Sequence, residues 1–96
     1  MGAIVVRYRA RADAADENER LIRAVFAELA DVEPSGLRYT VLRGDDGVTF
    51  THLATWEGEN ALPGLAAFQA FSSTIGDRAE DGPHALPGSV IGDYAG

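Results

Sequence analysis

His52 and Trp56 are the residues whose types and spacing best suit chemistry on a small molecule. They lie in residues 48–56, a β-branched and aromatic run that predicts a strand, and alternate residues of a strand point to the same side. The imidazole and the indole would therefore share one face, separated by the small Ala54. There His52 could act as a base or hydrogen-bond partner, and Trp56 could wall a pocket for a planar ligand. Both could equally be structural, His52 as a hydrogen-bonded core residue and Trp56 as a packing anchor.

Four further residues could complete such a pocket, with Tyr8 and Asn60 as auxiliary hydrogen-bond donors and Phe68 and Phe71 as apolar walls. The two phenylalanines lie on a predicted second helix, so we expect any pocket over Ala54, between the sheet and that helix. Aromatic side chains also fill protein cores without leaving voids. The sequence leaves open whether these residues surround a cavity or close it.

Other chemistries lack the residues that they need. The sequence has no Cys, which excludes disulfides, thiolate nucleophiles and Cys-based metal sites. The second histidine, His84, is expected in a solvated loop beside Pro83. Residues 72–74 (Ser-Ser-Thr) have no His at a supporting spacing, and no dinucleotide glycine fingerprint exists. We therefore expect no metal and no tightly bound organic cofactor.

The chain of 96 residues predicts one domain spanning residues 1–96. Its 15 acidic and 8 basic residues give a formal charge of −7. This balance argues against nucleic acid and against anionic membrane surfaces as partners. No apolar stretch approaches the ~20 residues of a membrane span, and the first residues do not resemble a signal peptide. A cytoplasmic location is expected.

The elements that must position these residues follow from periodicity. Alternating residues 3–11 predict a strand. An amphipathic helix follows, with Asp13 as its expected N-cap, and 33–36 (Glu-Pro-Ser-Gly) ends it after Val32. Residues 37–43 predict a second strand, which the turn formers of 44–47 join to the strand 48–56 as a hairpin.

The last third of the chain predicts one helix and one strand. Asn60 can cap a helix that runs to about Asp81, weakened at Gly76. Residues 82–88 are expected to form a loop, and residues 89–94 (SVIGDY) predict the final strand.

The resulting order, β-α-β-β-α-β, predicts an α+β ferredoxin-like plait, with two helices on one face of a four-stranded antiparallel sheet. The opposite face would be bare, and a chain of this length cannot cover it. Exposed apolar sheet surface usually marks an interface, and symmetric pairing is its commonest form. We therefore expect a homodimer with two sheets packed face to face.

Arg7, Arg9 and Arg11 project from one side of the first strand. If that side faces a partner sheet, the guanidinium groups need carboxylates or carbonyls. Asp93, on the predicted last strand, is the expected partner for an ion pair. Recognition of an anionic ligand is the alternative.

The order of elements and the stretch 51–71 (THLATWEGENALPGLAAFQAF) resemble the dimeric α/β-barrel superfamily, and within it the antibiotic biosynthesis monooxygenase-like proteins. In that family the third strand ends in an aromatic–acid pair such as Trp56-Glu57. Many members carry a His eight to ten residues beyond the Trp, where this chain has 63–66 (Pro-Gly-Leu-Ala). The resemblance covers essentially the whole chain.

Two functional hypotheses follow. The resemblance implies a cofactor-independent monooxygenase acting on a small aromatic or polyketide-type molecule, which would itself supply a carbanion that reacts with oxygen. The alternative is a non-catalytic dimeric module that binds a small molecule or a protein partner. The missing downstream His and the lack of a strong acid–base pair favour this second hypothesis slightly, and the sequence does not decide whether the chain is an enzyme.

Overall fold

A computed structural model describes all 96 residues, and the strands and helices follow in the order expected from the sequence. They are β1 (Gly2–Ala10), α1 (Ala15–Val32), β2 (Leu37–Arg43), β3 (Thr49–Trp56), α2 (Ala66–Ser73) and β4 (Ala79–Gly88). The four strands form one antiparallel sheet in the order β2-β3-β1-β4. The predicted ferredoxin-like α+β fold is confirmed.

The core lies between one face of the sheet and the two helices. Register pairs Tyr8 with Phe50 and Val6 with His52 across β1 and β3, so the even-numbered residues of both strands face the helices together. Tyr8 and Phe50 are almost completely buried, and their rings stack at 5.5 Å. The core also contains small and apolar residues from the strands, both helices and the segment before α2: Ala10, Ala15, Ile22, Val25, Ala54, Leu62, Leu65 and Phe71.

Helix α1 begins and ends for different reasons. Its predicted cap, Asp13, is wrong: the N-cap position is Ala14, with no side-chain cap, and Asp13 accepts a hydrogen bond from Arg11 at 3.2 Å. At the other end Glu33 adopts a left-handed conformation, and its amide donates to the Leu29 carbonyl at 2.8 Å. The predicted stop after Val32 is confirmed. Neither α1 nor α2 combines the length and the apolar composition needed to cross a bilayer.

The predicted arrangement of the last third of the chain is wrong. Instead of one helix from Asn60 to Asp81, α2 covers Ala66–Ser73 and is flanked by two 3₁₀ turns, Leu62–Gly64 and Ile75–Asp77. The final strand covers Ala79–Gly88, not residues 89–94, and contains the segment expected as a loop.

Pairing with β1 explains the position of β4. Ala79 pairs with Ala10 and Gly88 with Ala3, and the register shifts between Arg7 and Ala10. Gly82 occupies this irregular part with φ +88°, and a Cβ there would meet the Arg7 carbonyl oxygen at 3.0 Å. Because β4 is an edge strand, it tolerates proline, which an interior strand would exclude.

The other face of the sheet is partly covered by the end of the chain. Residues 89–93 lie beside Val5 and Leu53 around a surface hollow of about 550 Å³. Asp93 accepts a hydrogen bond from Arg38 of β2 at 3.1 Å, so this segment reaches the opposite edge of the sheet from β4. Val5, Leu53 and Leu86 remain 37%, 45% and 71% exposed on the face, which leaves apolar surface available to a partner.

The arginines of β1 do not pair with Asp93 as predicted. Arg7 donates to the Thr51 hydroxyl at 3.3 Å, and Arg9 lies 4.0 Å from Glu80. Asp93 pairs with Arg38 because residues 89–93 cross the sheet and do not extend it as a strand.

Candidate functional site

A cavity of about 330 Å³ lies between the sheet and α2. Tyr8, His52 and Ala54 line it from the sheet, and Phe68 and Phe71 line it from the helix. The expectation of a pocket over Ala54 is therefore confirmed in position. The hollow on the opposite face is larger, but its charged side chains, Arg38 and Asp93, pair with each other. The smaller cavity is lined by the buried titratable side chains of Tyr8 and His52 and by the half-buried Tyr39, so we take it as the candidate site.

Five of the six residues singled out in the sequence line this cavity: Tyr8, His52, Asn60, Phe68 and Phe71. Asn60 does not cap α2 as expected. Its side-chain oxygen accepts a hydrogen bond from the Leu62 amide at 3.1 Å, at the start of the first 3₁₀ turn. The amino end of α2 is instead held by Glu28 of α1, whose carboxylate accepts from the amides of Ala66 and Ala67 at 3.3 and 2.7 Å.

Trp56 is absent from the cavity lining, which corrects its predicted placement as a wall. It lies at the end of β3, where it pairs with Gly2 and Leu37 on the two neighbouring strands. Its indole covers Gly2 so closely that a Cβ at that position would collide with the ring. Trp56 thus packs at the edge of the core, beyond Ala54, because Gly2 leaves room for it there.

A continuous series of hydrogen bonds, the polar chain, runs through the core to the cavity. Arg78 Nε donates to Asn18 Oδ1 at 2.8 Å, and Asn18 Nδ2 donates to the Tyr8 hydroxyl at 2.8 Å. The Tyr8 hydroxyl lies 2.8 Å from His52 Nε2, and the Tyr39 hydroxyl lies 2.7 Å from His52 Nδ1. No buried side-chain nitrogen or oxygen lacks a partner. A network in which every buried polar atom has at least one partner fixes the positions of its members.

Burial keeps the ionisable groups at the cavity uncharged near neutral pH. It lowers the pKa of His52 to about 4 and raises the pKa of Tyr8 to about 12. Burial, together with the neighbouring Tyr8, also raises the pKa of Tyr39 well above its usual range. His52 is therefore a neutral imidazole, with both ring nitrogens next to tyrosine hydroxyls. No nitrogen is left to accept a proton directly from a ligand, which favours the hydrogen-bonding role for His52 over that of a direct base.

Arg78 carries a buried positive charge with no carboxylate partner. The residue is 5% exposed, and its guanidinium donates to the carbonyls of Phe71 and Thr74 at 2.9 and 3.0 Å. Those carbonyls lie at the end of α2, where cations are stabilised by the helix dipole. The guanidinium also lies 5.3 Å from the centre of the Phe71 ring. Burial lowers the pKa of Arg78, but an arginine stays protonated in proteins.

Three residues of the polar chain escape prediction from the sequence: Asn18, Tyr39 and Arg78. The sequence pattern could have indicated a buried role for Asn18, since this polar residue lies four positions before Ile22 on the apolar side of α1. Tyr39 follows from hairpin register, because it pairs with Ala54 across β2 and β3. No sequence pattern indicated a buried role for Arg78, because the predicted second helix extended through its position.

The structure contains no group of three or more His, Cys, Asp or Glu side chains placed to hold a metal ion. His84 lies in β4, not in a loop, and its exposed ring is 3.3 Å from the Asp81 carboxylate. The two histidines therefore belong to separate parts of the molecule, His52 to the core and His84 to the surface.

No family model matches the chain, and no curated protein does. Solved structures match it over nearly its full length. Rv0793 from Mycobacterium tuberculosis superposes with a TM-score of 0.78 at 16% identity, covering 98% of both chains. A putative antibiotic biosynthesis monooxygenase from Nitrosomonas europaea gives 0.78 at 14% identity, covering 95% of this chain and 99% of that one. A mutant of SnoaB, a cofactor-independent oxygenase from Streptomyces nogalater, gives 0.69 at 18% identity over 96% and 94% of the two chains. At these identities the likeness shows a shared fold.

Proposed function

For a chain with the fold of the antibiotic biosynthesis monooxygenase-like proteins, we propose a cofactor-independent oxygenase function on a small aromatic or polyketide-type molecule. The observation that carries this proposal is the cavity of about 330 Å³ over Ala54. Its walls are mostly aromatic and aliphatic, and its polar side chains are all uncharged: Tyr8, Tyr39, His52, Asn60 and Ser72. Pockets of this volume and lining suit a planar ligand with a few oxygen atoms.

The proposed chemistry makes modest demands on the protein. A substrate methylene flanked by aromatic rings loses a proton to solvent water as the substrate forms its enolate, because neither nitrogen of His52 is free to accept it. The electrons of the resulting stabilised carbanion reduce O₂. The carbon ends as a carbonyl with one oxygen atom, and the other oxygen atom leaves as water with the two hydrogens. The protein contributes by excluding water, orienting the rings and stabilising the negative charge that develops on a conjugated oxygen. His52 supports the stabilisation of this negative charge by holding the hydroxyls of Tyr8 and Tyr39 in place.

Anthrone is a suitable test substrate, because its central methylene gives such a carbanion. We expect the protein to accelerate its conversion to anthraquinone with one O₂ consumed per molecule, followed by an oxygen electrode and by absorbance. With ¹⁸O₂, one labelled atom should enter the product carbonyl. His52→Phe should lower the rate by about a hundredfold, the cost of losing one stabilising hydrogen-bonding group. His84→Phe, at the exposed histidine, should leave it unchanged.

A non-catalytic binding module is the second candidate, and one observation favours it: neither nitrogen of His52 is available as a direct base. In that case 1-naphthol would bind the cavity, with binding abolished by filling the space, while anthrone would oxidise no faster than in buffer. Equal anthrone rates with and without the protein would reject the oxygenase proposal for this substrate class.

We also propose that the chain pairs as a homodimer through the open face of the sheet. Val5, Leu53 and Leu86 leave apolar surface there, and residues 89–93 cover only part of it. A stable interface buries at least ~1,200 Å² in total, which a four-stranded sheet face can supply. A monomeric mass by light scattering at micromolar concentration would reject this pairing.

A further inference from the structure

We infer that Tyr39 donates the hydrogen bond that the cavity offers to an anionic oxygen of an aromatic ligand, because Arg78 sets the direction of the whole polar chain. The inference rests on the proposed use of the cavity as a ligand site. It adds a binding residue, Tyr39, and the chemical class of the group that this residue recognises, a phenolate or enolate oxygen.

The direction starts at Arg78. A guanidinium only donates, so the side-chain atom of Asn18 that faces it must be the acceptor, Oδ1. The amide nitrogen of Asn18 therefore faces Tyr8 and donates to its hydroxyl oxygen at 2.8 Å. The Tyr8 hydroxyl must then donate its own hydrogen bond to its other partner, His52 Nε2, also at 2.8 Å. Nε2 is thus an acceptor and carries no proton.

The direction continues through the imidazole. A buried neutral histidine carries one ring proton, and with Nε2 accepting, that proton is on Nδ1. Nδ1 donates to the Tyr39 hydroxyl oxygen at 2.7 Å. Tyr39 is left with its own hydroxyl proton, for which the protein provides no acceptor. Since Tyr39 lines the cavity, the proton is available to a ligand there.

Charge decides what kind of oxygen this donor prefers. Every bond of the polar chain points away from the buried positive charge of Arg78, which has no carboxylate within ion-pair distance. Oriented donors backed by a fixed positive charge stabilise negative charge at their end. The Tyr39 ring is held by stacking on Phe26 at 5.1 Å, so the hydroxyl has a defined position. The aromatic walls, Phe68 and Phe71, then favour a flat ring system around the anionic oxygen.

Asn18→Asp is the sharpest test of direction, because it changes one amide to a carboxylate of the same shape. A carboxylate only accepts, so it would pair with Arg78 and accept a hydrogen bond from the Tyr8 hydroxyl. The Tyr8 oxygen would then accept from His52 Nε2, and Nδ1 would accept from Tyr39. We expect ¹⁵N NMR of the His52 ring to show the proton on Nδ1 in the wild type and on Nε2 in the variant.

Ligand binding is tested with p-nitrophenol, whose phenolate and phenol forms differ in colour. The wild type should bind the phenolate about tenfold to a hundredfold more tightly than Tyr39→Phe does, the range for a hydrogen bond to a charged group. Asn18→Asp should reverse the preference and favour the phenol form, because Tyr39 would then present only a lone pair. Tyr94→Phe is the matched control, since Tyr94 is 88% exposed and should bind as the wild type does.

A proton on Nε2 in the wild type would overturn the inference, as would equal phenolate affinity in the wild type and Tyr39→Phe. Failure of the wild type to bind p-nitrophenolate would also overturn it, while anthrone oxidation would still judge the oxygenase proposal separately. If Tyr39→Phe does not fold, Asn18→Asp decides the question through both the NMR signal and the colour of the bound probe.

Discussion

Arg78 donates a hydrogen bond from Nε to Asn18 Oδ1 at 2.8 Å, joining residues that are 60 positions apart in the chain. The contact ties α1 to the segment that precedes β4 and places a positive charge at the inner end of the polar chain. It is fully inside the protein, with both residues at or below 5% exposure. We therefore expect stability and ligand preference to depend on the same pair.

Arg78→Met should lower the free energy of unfolding by about 3 kcal/mol, because the Phe71 carbonyl and Asn18 Oδ1 would lose their donor where water is excluded. Urea denaturation followed by circular dichroism measures the change. Arg20→Met is the control, since Arg20 pairs only with Glu17 on the solvent-exposed surface, where water and salt screen the charges and the loss should be much smaller. Equal losses in the two variants would contradict the structural role of Arg78.

Stability should depend on pH through His52. Burial lowers the pKa of His52 from its ordinary 6.5 to about 4, so between these values the unfolded chain binds a proton that the folded chain does not. The stability that comes from burying a neutral His52 is therefore fully present above pH 6.5 and is lost as the pH falls toward 4. Over this range the free energy of unfolding should fall by up to about 1.4 kcal/mol per pH unit. The difference in urea stability between wild type and His52→Gln, measured from pH 4 to 8, isolates it from the carboxyl groups. Parallel curves for the two proteins would show that His52 titrates normally.

Ala54→Leu should fill the cavity. The added carbons enter space beside His52, so the free energy of unfolding should fall by no more than about 1–3 kcal/mol. Binding of 1-naphthol should be abolished. Ala10→Leu is a matched control. Ala10 lies in β1 and is fully buried on the same face of the sheet as Ala54, but it does not line the cavity. It should destabilise the protein at least as much and leave binding intact. Unchanged naphthol affinity in Ala54→Leu would remove the cavity as the binding site.

Leu53→Asp should convert the proposed dimer to a monomer, because it places a charge at the centre of the open sheet face. Leu53 is 45% exposed in the single chain and points away from the helices, so the monomer should keep its fold. Light scattering measures the mass, and circular dichroism checks the fold. Glu59→Ala, a change to an exposed residue after β3, is the control and should keep the dimer. A wild type that is already monomeric would contradict the pairing.

Much of the fold could be predicted because periodicity is a local property. The alternation of residues 3–11 and the three- and four-residue spacing of Ile22 and Val25 show which side chains share a face, and these assignments agree with the structure. The same reasoning placed Tyr8, His52 and Phe71 around one cavity. It failed at β4, because residues 79–88 contain Gly82 and Pro83, which are typical of a loop. Their strand conformation comes from hydrogen bonds to β1, more than sixty residues earlier.

By itself the sequence determined the order of the strands and helices, the apolar faces and the small residue, Ala54, over which the cavity lies. Only the tertiary structure decided that Trp56 packs over Gly2 and that Asn18, Tyr39 and Arg78 join His52 in one polar chain. The reason is physical: periodicity reports the direction of a side chain within its own element. Hydrogen-bond partners depend on how distant elements pack, and the direction of the polar chain depends on a charge that no local pattern reveals.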